Sequence, residues 1–303
     1  MTEAAEAPLI TREDVRQLER LTLESLEAIN VGIVGQREGA GRGEGVEFAD
    51  YRPYTPGDDL RRIDWHVFAR LRELVIKSAP RESRASLSVM LDASRSMDLG
   101  EPNKLRYGRR LTALLGTVAL LRSDAIQVQV LSDGNAVAGG QLDAPGMLAA
   151  LAFEVAQLPS GRTTQLERSV RRARISSVPQ EVAVLISDCL VPPDDLNGAL
   201  RQLSQSATAA TLLHVLDPAE ASPALRGSVE LQDRETGQRL IATMTDELER
   251  RYVEHYREFL EGTQAACRAN GVRYLPASTS VDPLELLVES GRRGIVMRAS
   301  TGA

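Results

Sequence analysis

The chain of 303 residues has 43% hydrophobic and 26% charged positions, which is typical of a folded globular protein and excludes a disordered chain. Its 36 basic and 42 acidic residues give a formal charge of −6, which argues against nucleic acid or an anionic membrane as the main partner. The two cysteines, Cys189 and Cys267, are too few for a disulfide framework and fit a reducing, cytoplasmic location. No membrane span is predicted, because the longest apolar stretch, from Leu111 to Leu121, has only 11 residues.

The first part of the chain combines a helical pattern with a segment rich in charges, aromatics and turn-forming residues. Apolar residues at helical spacing predict a helix that begins at Thr11 and ends near Asn30. We assign residues 1–35 to an N-terminal tail and helix. Residues 36–84 are predicted to form a compact unit that is irregular or β-rich, with short strands at Val46–Phe48, which lies outside the residues that the structure describes, and at Leu74–Lys77.

Beyond residue 84, short apolar runs alternate with helical segments. The buried strands predicted from these runs are Leu87–Leu91, Ile126–Leu131, Val182–Ile186, Ala210–Leu216 and Val272–Leu275. Strands separated by helices in this way predict an α/β domain over 85–303, with a mainly parallel, Rossmann-like sheet covered by helices. An antiparallel hairpin inserted at about 226–245 is predicted from the alternating residues around Ser228 to Met244.

A cluster of oxygen-bearing side chains follows the first predicted strand of this domain. Asp92, Ser94 and Ser96 form the pattern DxSxS, which places three oxygens on alternating positions of one loop. Ligands of open α/β sheets bind outside the carboxyl ends of the strands, where such loops meet. Carboxylate and hydroxyl oxygens suit a hard divalent cation and not a soft one.

Two later loops add oxygen ligands at the same predicted edge. Thr163 and Thr164 stand before a helix that starts near Leu166, and Asp188 follows the next buried strand. In this combination the chain resembles the von Willebrand factor A fold with its metal-ion-dependent adhesion site. The resemblance implies a site for Mg²⁺ or Mn²⁺ whose ligands are Asp92, Ser94, Ser96, Thr164 and Asp188. Thr163 is the alternative to Thr164.

The segment before the DxSxS strand carries a second resemblance. It reads EFADYRPYTPGDDLRRIDWHVFAR from Glu47 to Arg70, and the runs Asp217–Glu220 and Gln232–Gly237 agree with it. In these motifs the chain resembles the bacterial and archaeal domain-of-unknown-function family 58. The resemblance implies a MoxR-type AAA+ ATPase as a partner, together with a client protein.

The PGDD and IDW motifs of that segment have two interpretations. Their arginines and aspartates could pair with one another while the aromatic residues pack, which is a structural role. Tyr, Trp and Arg are also enriched in protein interfaces, so the segment is the second candidate for partner binding. The residues assigned to that surface are Tyr54, Asp58, Asp64, Trp65 and Arg70.

We therefore expect a cytoplasmic, metal-dependent protein-binding module that acts with the ATPase in the assembly or maturation of protein complexes. Two alternatives stay open: a metal-dependent phosphohydrolase that uses the same oxygen cluster, and a scaffold whose metal site is vestigial. The sequence has neither a GxSxG nor an HExxH motif, and no catalytic residue is assigned.

Overall fold

The computed structural model describes residues 8–19, 21–23, 51–54, 63–77, 85–159, 161, 163, 165–173, 181–222, 225–235, 237–292 and 297–299. The chain divides into two compact units. One comprises Met1–Ile29 with Ala85–Ala303, and the other is Asn30–Arg84.

Helices and strands alternate along most of the described chain. The strands are β1 (Leu21–Leu23), β2 (Tyr51–Pro53), β3 (Val75–Lys77), β4 (Ser86–Asp92), β5 (Ala125–Ser132), β6 (Asn135–Leu142), β7 (Glu181–Ser187), β8 (Ala209–Leu216), β9 (Gly227–Gln232), β10 (Arg239–Met244), β11 (Arg273–Ser278) and β12 (Met297–Ala299). The helices are α1 (Arg12–Leu18), α2 (Trp65–Leu71), α3 (Lys104–Leu121), α4 (Leu148–Ala156), α5 (Leu166–Arg172), α6 (Pro193–Ser206), α7 (Pro218–Ala221), α8 (Asp246–Ala269) and α9 (Pro283–Arg292).

Six strands form the central sheet of the larger unit, in the order β11-β8-β7-β4-β5-β6. Every neighbouring pair is parallel except β5 and β6, which are antiparallel. This mainly parallel sheet confirms the predicted α/β class. Strands β9 and β10 pair antiparallel outside the sheet, which confirms the predicted inserted hairpin.

The core lies on both faces of the sheet and fixes the position of α3 above the end of β4. Every residue of β4 and of β7 is buried, as expected for strands covered by helices on both sides. Helix α3 approaches the sheet at Gly108, where a Cβ atom would lie 2.7 Å from Cδ1 of Leu91. The glycine therefore permits the close contact that brings the first turn of α3 to the carboxyl end of β4.

Two local predictions were incomplete or wrong. The helix predicted to run from Thr11 to near Asn30 is wrong in length, because α1 ends at Leu18 and β1 follows it. Strand β1 pairs antiparallel with β12, so pairing with a distant strand overrides the local helical spacing. The smaller unit contains the antiparallel pair β2 and β3 and also α2, a helix that the sequence reading did not predict.

None of the helices in the described part of the chain is long and apolar enough to cross a membrane.

Candidate functional site

Four of the five predicted ligands come together at the carboxyl ends of β4 and β7. Asp92 is the last residue of β4, and Asp188 follows the last residue of the neighbouring β7. The hydroxyl oxygens of Ser94 and Ser96 are 2.9 Å apart, and the Ser96 hydroxyl donates to Oδ1 of Asp188 over 3.3 Å. Parallel pairing places both strand ends at one edge of the sheet, which is why residues distant in sequence meet here.

Asp92 is held inside this cluster by two donors. The backbone amide of Ser94 donates to its Oδ1 over 3.0 Å, and the Ser187 hydroxyl donates to its Oδ2 over 2.7 Å. Burial, and next the negative charge of Asp188, raise the pKa of Asp92 to about 7. When it is ionised, the carboxylate of Asp92 therefore carries a negative charge that its surroundings do not fully compensate.

A buried histidine fixes the backbone at Asp188. Nε2 of His214 lies 3.0 Å from the carbonyl oxygen of Asp188, and Nδ1 lies 3.0 Å from the Tyr274 hydroxyl. A carbonyl can only accept, so Nε2 carries the proton and Nδ1 accepts from Tyr274. Burial lowers the pKa of His214 to about 4, so the ring is neutral at pH 7.

Lys104 is a functional candidate that sequence reasoning missed. It is the first residue of α3, its side chain is fully buried, and its Nζ lies 2.7 Å from Oδ2 of Asp188. Two signals in the sequence pointed to it: lysine occurs only twice in the chain, and a cation at the start of a helix opposes the helix dipole. A lysine in that position needs nearby acids to stabilise it.

Glu220 supplies the second acid for Lys104, with Oε1 at 2.5 Å from Nζ. It belongs to α7, where the backbone amide of Asp217 donates to its other carboxylate oxygen over 3.4 Å. The Tyr252 hydroxyl donates to the Glu220 carbonyl over 2.6 Å and ties α7 to α8. The run from Asp217 to Glu220 is one of the motifs in which the sequence resembles domain-of-unknown-function family 58, but the sequence analysis did not assign it to the metal site.

The threonine loop lies beside the cluster, although Thr164 itself is outside the described residues. The amide of Gly161 donates to the Ala93 carbonyl over 2.5 Å, so this loop adjoins the DxSxS loop. Thr163, the alternative ligand, directs both its amide and its hydroxyl to Oδ1 of Asp133, each over 3.1 Å. The Thr163 hydroxyl is thus engaged with Asp133 and not with the cluster.

The chemistry of the cluster fits a hard divalent cation. Its donors are all oxygen, and the 2.9 Å between the Ser94 and Ser96 hydroxyls matches the ~2.9 Å edge of an octahedron with bonds of 2.0 to 2.1 Å. Within the described part of the chain, no three His, Cys, Asp or Glu side chains form a group that could hold a metal ion, so any ligation at this cluster would depend on the hydroxyls. The carboxylates of Asp92, Asp188 and Glu220 carry three negative charges when all are ionised. The ammonium of Lys104 neutralises one of them, so the net charge of the group is −2.

The predicted partner surface lies in the smaller unit and is brought together only in part. Asp64 caps α2, accepting from two backbone amides of its first turn over 2.9 and 3.2 Å, which is a structural role. Trp65 is 60% exposed, and Arg70 in the last turn of α2 is also exposed. Tyr54 is half-buried after β2, and Asp58 lies outside the described residues.

The fold and the cluster define an α/β domain with an acidic, oxygen-lined site at the carboxyl ends of its central strands. The model of one family, described as "Protein of unknown function DUF58", matches residues 50–261, which is more than half of the chain. The chain therefore belongs to this family.

The similar curated proteins are mycobacterial. The uncharacterized protein Rv1480 of Mycobacterium tuberculosis (strain ATCC 25618 / H37Rv) is 28% identical over 242 residues, which cover 74% of this chain and 70% of that protein. The uncharacterized protein Mb1516 of Mycobacterium bovis matches with the same identity and coverage.

The chain is also similar to solved structures at low identity. The conserved hypothetical protein BatB from Bacteroides thetaiotaomicron is 15% identical with a TM-score of 0.43, over 69% of this chain and 98% of that one. The SpRpn10 VWA domain is 8% identical with a TM-score of 0.40, over 68% of this chain and 95% of that domain.

Proposed function

We propose that the chain is a protein-binding module whose cluster of Asp92, Ser94, Ser96 and Asp188 holds Mg²⁺ or Mn²⁺, and that this site docks an acidic side chain of a partner protein. The observation that carries the proposal is the meeting of these four side chains at adjacent strand ends with uncompensated negative charge. When bound, the cation supplies positive charge and an exchangeable coordination position.

The residues of the cluster would have different roles in binding such an ion. Donors from Ser94 and Ser187 orient the Asp92 carboxylate, while the hydroxyls of Ser94 and Ser96 offer neutral oxygens that add no negative charge. Because few of the ligands are charged, the bound cation keeps enough positive charge to attract a carboxylate of a partner protein. Ser96 is partly exposed whereas Asp92 and Asp188 are buried, so a partner reaches the site from the Ser96 side. Thr164 belongs to the proposed set through the resemblance alone.

The partners we propose are a MoxR-type AAA+ ATPase and a client protein whose assembly or maturation they serve. Family resemblance supports this pairing, and the exposed Trp65 on α2 offers a second contact of the kind enriched in interfaces. We propose a cytoplasmic location, which suits a chain whose cysteines, Cys189 and Cys267, are free and buried.

The metal part of the proposal is tested by titrating the protein with Mn²⁺ and following free Mn²⁺ by electron paramagnetic resonance. The Ser96→Ala variant should bind at least about tenfold more weakly than the wild type, because it loses a direct oxygen ligand. The matched control is Ser280→Ala, since Ser278 and Ser280 form a second pair of hydroxyls, 2.8 Å apart, at the end of β11. Absence of binding to the wild type at millimolar Mn²⁺, or equal affinity in Ser96→Ala, would contradict the proposal.

The docking part is tested separately with a purified MoxR-type AAA+ ATPase. Its binding to the wild-type chain should be strong in Mg²⁺ and lost in EDTA, and Ser96→Ala should bind weakly in both conditions. Binding that persists unchanged in EDTA would exclude a metal-dependent contact with this ATPase.

A further inference from the structure

Lys104 is a cation already built into the candidate site. Its side chain is fully buried, and its ammonium contacts one oxygen of Asp188 at 2.7 Å and one of Glu220 at 2.5 Å. Asp188 is also a proposed ligand of the divalent ion. The ammonium and the ion therefore draw on the negative charge of the same carboxylate.

The position of Lys104 is costly unless acids stabilise its charge, and Asp188 and Glu220 do so. Burial removes the ammonium from water, and the start of α3 adds the positive end of a helix dipole. Of 36 basic residues in the chain, only Lys77 and Lys104 are lysines. A compact ammonium fits between two carboxylates where a planar guanidinium would need more room.

Glu220 determines how strongly the ammonium of Lys104 interacts with the carboxylate of Asp188. One oxygen of Glu220 accepts from the ammonium, and the other is held by the backbone amide of Asp217. The side chain of Glu220 is 27% exposed, whereas that of Asp188 is only 2% exposed. Glu220 thus draws the ammonium toward α7 and leaves part of the Asp188 charge available.

We propose that Lys104 sets the divalent-metal affinity of the site: its ammonium competes with the ion for Asp188, and Glu220 moderates that competition. The inference rests on the proposed function, because it concerns the same metal site. Replacing Lys104 by a neutral residue leaves three carboxylates without the ammonium, so the ion meets more negative charge. Replacing Glu220 by glutamine removes one negative charge. Among the residues that the structure describes, Asp188 is then the only acid left to pair with Lys104.

The two substitutions should consequently change metal affinity in opposite directions. In the Mn²⁺ titration, Lys104→Met should bind at least about tenfold more tightly than the wild type, and Glu220→Gln at least about threefold more weakly. Lys104→Arg retains the charge and should remain close to the wild type or bind more weakly. The control is Arg106→Met, which removes an exposed charge two residues further along α3 and should leave the affinity unchanged.

Each pattern of results is decisive. If the wild type binds and the Lys104→Met and Glu220→Gln variants bind with the same affinity, the pair is purely structural and the inference fails while the proposed function stands. If only Lys104→Met binds, the inference holds and the proposed metal dependence of the wild type fails. If no variant binds, both fail. Lys104→Met is checked for folding by circular dichroism, and Glu220→Gln, altered at a partly exposed residue, gives an independent reading should Lys104→Met not fold.

Discussion

Acid should remove the contribution that His214 makes to the stability of the larger unit. Folding lowers its pKa from 6.5 to about 4, mainly by burial, with smaller and opposing effects of Asp188 and Lys104. The unfolded chain then takes up a proton at His214 more readily than the folded chain. The part of the stability that His214 contributes is therefore complete above pH 6.5 and is lost as the pH falls toward 4. The pKa difference is equivalent to about 3 kcal/mol of unfolding free energy.

The matched variant for this prediction is His214→Phe, which keeps an aromatic ring in the same space. At pH 7.5 it should be less stable by about 1 to 3 kcal/mol, because the Asp188 carbonyl and the Tyr274 hydroxyl lose their partner. Toward pH 4 the wild type loses the His214 contribution and the variant does not, so the difference between them should fall by up to about 3 kcal/mol.

Urea unfolding at a series of pH values between 7.5 and 4 measures both proteins. Asp92, with a pKa raised to about 7, titrates in the same range with the opposite sign, since its stabilising effect grows as the pH falls. Asp92 is present in both proteins, so its contribution largely cancels in the difference between their free energies. A difference that stays constant over the whole range would refute the reasoning about His214.

Three further substitutions test other parts of the structure. Gly100→Ala should lower stability by about 2 kcal/mol in chemical denaturation, because Gly100 has a φ of +91° and its Cβ would lie 2.3 Å from Oδ2 of Asp217. Gly262→Ala lies in the exposed part of α8, where a Cβ atom would have nothing within 4 Å, and should instead raise the free energy of unfolding by about 0.5 to 1 kcal/mol. Equal effects of the two substitutions on stability would refute both explanations. Trp65→Ala should leave the melting temperature within about 2 °C, since the side chain is exposed, but weaken ATPase binding in a pull-down at least about tenfold. Unchanged binding would remove α2 from the proposed interface.

Most of the central sheet could be predicted because its inner strands are buried on both faces. Mainly apolar runs such as Leu87 to Leu91 are typical of such strands when turn residues and helices flank them. The edge strand β6 was missed, because its sequence NAVAGGQL contains two adjacent glycines and only one end of the strand is buried. Helix α2 was missed because its signal, the Asp64 cap, lies in a segment dominated by charges and turn residues.

The acidic and hydroxyl members of the site could be predicted for a different reason. Asp92 and Asp188 each follow a strand, and the ends of neighbouring parallel strands must meet. Lys104 and Glu220 come from the starts of two helices, and their approach depends on how α3 and α7 pack. No periodicity in the sequence indicates how these helices pack. The contacts of Lys104 with Asp188 and Glu220 could therefore be found only in the structure.

The pairing of β1 with β12 also constrains biosynthesis. Leu21 aligns with Ala299, so the chain as far as Ala299 must leave the ribosome before β1 can pair with β12. Until then β1 presents an open backbone edge, which is a hazard for association between nascent chains. Shortening the chain before Met297 would make that hazard permanent, and tags placed beyond Ala299 should be separated from it by a flexible linker.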